Sequence, residues 1–135
     1  MKKTAAAIAA FLLIAGQASP CTTVIVSSKA SATGRPLLWK QRDSSVGFNY
    51  LDHFPAKDGN YSYTGMVNTA DTRRESLWCG TNEKGFSIIN SMSYGLSPII
   101  TDNRPYEGMV MKKALETCAD IEEFEVFINN SDIFK

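Results

Sequence analysis

The sequence has no apolar run long enough to cross a bilayer: the longest, Ala5 to Ala15, falls short of the about 20 residues that a spanning helix needs. It has no excess of charge, with 14 basic and 14 acidic residues, and so lacks the basic face that nucleic-acid binding calls for. Histidine is nearly missing. The single one, His53, sits in an Asp-His-Phe-Pro segment without a Cys or carboxylate cluster, which leaves metal-ligand spacing patterns unfilled and makes a surface-loop histidine the default. There is no internal repeat and no low-complexity tract. A hydrophobic share of 44% sets the chain among globular proteins rather than disordered ones.

What is present begins at the N-terminus. Met1-Lys2-Lys3-Thr4, the apolar run Ala5 to Ala15 and the small or polar residues Gly16 to Pro20 follow the charged, apolar, small-residue order of a secretory signal peptide. Residues 1–20 are therefore expected to be a signal peptide and a short pro-segment, and the mature protein to be soluble and exported, periplasmic or extracellular. Gly16-Gln17-Ala18 offers the small residues that signal peptidase reads, which would leave Ser19-Pro20 ahead of Cys21. A further trimming or self-cleavage step is then needed to expose Cys21. Loss of Lys2 and Lys3 leaves 12 basic against 14 acidic residues, a slightly negative mature chain.

The cysteines are Cys21, Cys79 and Cys118, an odd number. In an oxidising compartment Cys79 and Cys118 could pair and leave Cys21 over; burial of both as small apolar side chains is at least as good a reading.

Thr22 to Ser28 is β-branched and bounded by small polar residues, which predicts a buried strand. A turn over 31–35 with Gly34 in the left-handed position returns the chain as a second strand, Pro36 to Arg42. Lys40 and Arg42 alternate with Trp39 and Gln41, and at least one of the two charges is expected to face solvent. Asp43 to Gly59 lacks a clean period and reads as a loop. Tyr61 to Val67 and Glu75 to Gly80 read as short strands. Asn82-Glu83-Lys84-Gly85 is a hairpin turn with Gly85 at positive φ. Beyond Pro105 the period becomes helical: Met111, Leu115 and Cys118 share one face, and Ile121, Phe124 and Ile128 another, with Asp120 and Glu123 spaced as a capping box. Strands followed by helices predict an α+β layered fold.

Cys21, once it is the first residue, carries a thiol and an α-amine with reference pKa values of about 8.5 and about 7.7–8.0. One residue then supplies both nucleophile and base. An oxyanion hole and a group that orients the amine are still required.

Three segments in order carry a resemblance: Cys21-Thr22-Thr23-Val24-Ile25-Val26, Gly34-Arg35-Pro36-Leu37-Leu38-Trp39-Lys40-Gln41-Arg42-Asp43, and Gly80-Thr81-Asn82-Glu83-Lys84-Gly85. They are similar to the opening of the penicillin acyltransferase-like family of autoproteolytic N-terminal-nucleophile hydrolases, related to the choloylglycine hydrolase, penicillin V acylase and cysteine dipeptidase families. The segment from Met109 to Glu125 also resembles the helix that follows in the first of these. The resemblance implies a four-layer αββα fold, of which residues 21–135 would be the N-terminal portion. It implies hydrolysis or acyl transfer at a linear amide bond through a thioester on Cys21, with a small-molecule amide or acyl substrate. No metal or organic cofactor and no nucleic acid is implied, and no membrane once the signal is removed. A homo-oligomer is one option, since related folds often assemble.

Carried over by position, Cys21 is the nucleophile and Asp43 holds its amine. The bile-salt and dipeptidase branches have arginine three residues before that aspartate; this chain has Lys40 there and Arg42 beside Asp43, so either cation is a candidate. Asn90, Ser91 and Tyr94 lie where an oxyanion asparagine is expected, with Asn90 the candidate. Asp43 is equally a turn residue on spacing alone, and Asn90 a strand-end polar group. Phe48, Tyr50, Phe54, Tyr61 and Tyr63 suit an acyl pocket or a core equally. Two readings compete for Cys21 itself, a lipid-anchored exported module, disfavoured by Pro20, and an inert structural thiol; for the chain as a whole the alternative is a non-catalytic exported domain, either that lipid-anchored binding module or a truncated, inactive relative of the enzyme.

Overall fold

The computed structural model describes residues 21–42, 47–91 and 106–131; the signal segment, Asp43 and Tyr94 lie outside them. The first strand, β1 (Thr22–Val26), runs antiparallel to β2 (Leu37–Gln41) with Val24 opposite Trp39 and Thr23 opposite Lys40. The turn between them puts Gly34 at φ +68°, a conformation that glycine adopts without the Cβ penalty. A second, four-stranded antiparallel sheet is ordered β3 (Asn49–Phe54), β4 (Tyr63–Asn68), β5 (Cys79–Asn82), β6 (Ser87–Ile89). Two helices follow, α1 (Tyr106–Thr117) and α2 (Ile121–Asn130). The described residues thus form a small mixed α+β domain of two antiparallel sheets and two helices.

One face of the larger sheet makes the core. Alternation along β4 buries Tyr63, Gly65 and Val67, and Ala114 and Leu115 of α1, with Cys118 just past its end, join Tyr63, Val67, Leu77 and Phe86 in one core cluster. The approach is close enough to require Gly80: a Cβ there would stand 2.5 Å from Leu115 Cδ1 and 2.8 Å from the Thr64 carbonyl oxygen. Buried Asn82 ties sheet to helix, its Nδ2 donating to the carbonyls of Leu115 (3.0 Å) and Cys118 (2.7 Å). Its Oδ1 accepts from the backbone N–H of Lys84 and Phe86, closing the turn in which Gly85 has φ +87°. The Asp120 side chain caps α2 by accepting from Glu123 N at 2.9 Å, as the capping-box spacing predicts.

Several expectations are corrected. Asp43 to Gly59 is not all loop, because Asn49–Phe54 pairs along its whole length with the next strand, β4; its Asn and Asp residues leave little strand signal in the local period. Residues 75–78 form no strand. Ser76 and Leu77 are buried under α1 instead, where Leu77 N donates to Gly108 O. The β1 strand is exposed, with Ile25 at 79%, although its composition is that of a buried one. On α2, Phe124, Phe127 and Ile128 are half-buried while Ile121 is exposed. Cys79 and Cys118 carry free thiols, and the core position of Cys118 matches its reading as a small apolar residue.

Candidate active site

The second face of the larger sheet, opposite the helices, looks onto the β1–β2 hairpin across a cleft of about 370 Å³. Leu38, Lys40 and Arg42 come to it from the hairpin, and Leu51, Met66, Cys79 and Ile89 from the sheet. Lys40 and Arg42 are two apart and so project to one side of the hairpin. Both are half-buried in the cleft, which corrects the expectation that one would face solvent. A cleft between two sheets can shelter both charges because backbone and amide oxygens on the far wall accept from them.

Lys40 Nζ donates to the Trp78 carbonyl at 3.2 Å and to Asn90 Oδ1. Arg42 Nη1 donates to Asn68 Oδ1 at 2.7 Å and to Asn49 Oδ1, and its guanidinium lies 4.6 Å from the centre of the Trp78 ring. The structure thus joins two residues picked from sequence, Lys40 and Asn90, by a direct hydrogen bond. It gives Arg42 separate partners, none of them readable from sequence. With its oxygen engaged by Lys40, Asn90 keeps its amide NH2 to donate elsewhere. Trp78 Nε1 is buried and has no hydrogen-bond partner, an orphan donor beside Arg42.

Cys21 stands half-buried at the start of β1. Burial holds the Lys40 ammonium below the usual lysine range; the thiolates of Cys21 and Cys79 push it back up, and Arg42 depresses it further. Burial likewise lowers Arg42, against the same two thiolates. Cys79 is pushed up by burial and drawn back by Lys40, by the Met66 N–H and by Arg42. Two cations and the Cys79 sulfur therefore share the cleft.

Cys21 has φ +62°. For a residue with a Cβ this left-handed conformation costs about 1–2 kcal/mol.

Asp43, expected to hold the Cys21 amine, lies outside the described residues, as does Tyr94; Ser91 is exposed. The proposed aromatic pocket does not line this cleft. Phe54 stacks on buried Tyr63 at 4.6 Å, while Phe48 and Tyr50 are exposed. His53 is an exposed strand residue whose Nδ1 lies 3.2 Å from Thr64 Oγ1. Sequence reasoning missed Asn49, Asn68 and Trp78, which join Arg42 only through strand register and tertiary contact. Cys79 could have been found from its two-residue spacing to Thr81 along one strand face. Among the described residues no three His, Cys, Asp or Glu side chains gather as a metal site, and no helix is long and apolar enough to cross a membrane.

No family model matches the chain, and no curated protein or solved structure is significantly similar to it.

Proposed function

We propose that this chain is an exported N-terminal-nucleophile hydrolase or acyltransferase of the four-layer αββα class, acting on linear amide bonds through Cys21. The observation that carries the reading is the Lys40–Asn90 hydrogen bond at an apolar-walled cleft between two antiparallel sheets, on a hairpin whose first strand begins directly after Cys21. Helices back the larger sheet, and the smaller sheet carries the nucleophile at its first residue. That layering suits the inner half of an αββα sandwich.

In the first step the Cys21 thiol gives its proton to the α-amine of the same residue, and the sulfur attacks the amide carbonyl. The C–N bond breaks, the nitrogen leaves with that proton as an amine, and a thioester remains on Cys21. Water or another amine then attacks the thioester and returns the thiol. The NH2 of Asn90 is the kind of donor that a developing oxyanion needs. Cleavage before Cys21 removes the carbonyl that defines its φ, so the left-handed strain at this residue supports cutting at that bond.

Intact mass and N-terminal sequence of the exported protein test the reading together with Cys21→Ser. A chain that starts at unmodified Cys21, cleaves aryl amides, and loses cleavage but not its fold in Cys21→Ser is the expected result. Retained Ser19-Pro20, lipid on Cys21, or a Cys21→Ser protein with unchanged turnover would each overturn it.

A further inference from the structure

The floor of the cleft is banded across its strands. Register aligns His53 with Thr64, Thr64 with Thr81 and Thr81 with Ser87, one polar side chain from each strand of the sheet. His53 Nδ1 is 3.2 Å from Thr64 Oγ1, and Thr81 Oγ1 is 2.8 Å from Ser87 Oγ. All four residues are exposed. Two residues further along the same face, Leu51 stands opposite Met66 and Cys79 opposite Ile89, and Leu51 is 72% exposed. Two more residues along β3 and β4 come Asn49 and Asn68, which receive Arg42.

Two residues along a strand span about 6.7 Å, so the apolar band is one side chain wide. It separates a cationic, amide-lined end from a hydroxyl and imidazole row. Thr64 and Thr81 line the same cleft as Lys40 and Arg42, so one bound molecule can touch all three bands. Each of the two threonine hydroxyls has one neighbour and further hydrogen-bonding capacity, since a hydroxyl donates once and accepts twice.

We propose that the cleft selects acyl groups with a short apolar stem that ends in a hydroxyl, the carbonyl end lying at Lys40 and Arg42 and the hydroxyl between Thr64 and Thr81. Placing the acyl half here rests on the Cys21 reading: in that chemistry the acyl group stays bound through both half-reactions, while the amine leaves and water enters. An exposed apolar strip that ends in a row of hydroxyls matches an amphipathic chain of about six carbons in length.

Titration calorimetry of the exported protein with 6-hydroxyhexanoate and with hexanoate tests this without catalysis. The hydroxy acid is expected to bind about fivefold more tightly, the worth of one net hydrogen bond. The double substitution Thr64→Val and Thr81→Val, which keeps side-chain shape, should erase the difference and leave hexanoate binding in place. Thr64→Ser with Thr81→Ser should restore it. Equal affinities in the unsubstituted protein, binding of neither acid, or a preference that survives the valine pair overturns the proposal. Cleavage of hexanoyl and 6-hydroxyhexanoyl anilides separates it from the enzymatic reading. Cys21-dependent cleavage of both at equal kcat/KM sinks the selectivity and leaves the enzyme; a hydroxy-acid preference in binding with no cleavage of either does the reverse.

Discussion

Lys40 is a lysine whose positive charge depends on its surroundings more than usual. Burial in the cleft lowers its pKa from the ordinary 10.5, so it loses its proton at a lower pH than an exposed lysine does. If the charged form supports the oxyanion, the alkaline limb of kcat/KM reports that loss. Lys40→Arg puts a guanidinium there, which stays protonated throughout the accessible range, and should move the limb to higher pH. Lys40→Ala should lower kcat by about 10²-fold, the scale of losing one oxyanion-stabilising donor. A pH–rate profile identical in the wild type and Lys40→Arg would remove Lys40 from the chemistry. Little of this was legible beforehand. The family resemblance singled out Lys40 and Asn90 separately, but their hydrogen bond spans 50 residues and needs both sheets in place.

At the scale of elements, β5 is where the site and the core share one strand. Cys79 and Thr81 face the cleft, while Gly80 and Asn82 face α1. Gly80→Ala would push a methyl group into Leu115 Cδ1 and the Thr64 carbonyl oxygen, and backbone cannot yield as a flexible side-chain tip can. The expected cost is about 1–3 kcal/mol, as for overpacked cores, read as a lowered urea midpoint. A midpoint unchanged from wild type would mean that α1 can shift outward freely. The hairpin turn at Gly85 and the cap at Asp120 were readable from sequence because both are local, set by residues three or four apart. β3 was not, since its partner lies across a connection and its Asn, Asp and His residues are poor strand formers in isolation.

For the molecule as a whole, the two sheets differ in how firmly they are held. The larger one is sealed by α1, whose Leu115 is buried in the same core as Leu77 and Val67. The extensive contact of the hairpin is between its own two strands, and a two-stranded hairpin alone is marginal in water. Lys40 and Arg42 reach across the cleft to Trp78, Asn90, Asn49 and Asn68 and tether it. Arg42→Ala should therefore speed amide hydrogen exchange across Thr22–Val26 and Leu37–Gln41 severalfold while β4 and α1 keep their protection. Equal exchange in both proteins would show that the tether adds no stability to the hairpin.

Sequence by itself determined the two strands that follow Cys21, the Gly34 and Gly85 turns, the helical face of Met111, Leu115 and Cys118, and the choice of Cys21, Lys40, Arg42 and Asn90 as residues to watch. Each follows from short-range geometry, from side-chain chemistry, or from a resemblance carried by contiguous residues. Tertiary structure alone decided that β3 exists, that Lys40 and Arg42 both turn into a cleft, that Asn49 and Asn68 meet Arg42, and that four hydroxyl or imidazole side chains line up across four strands. Strand register and sheet stacking join residues far apart in the chain, and no local periodicity encodes which partner lies opposite.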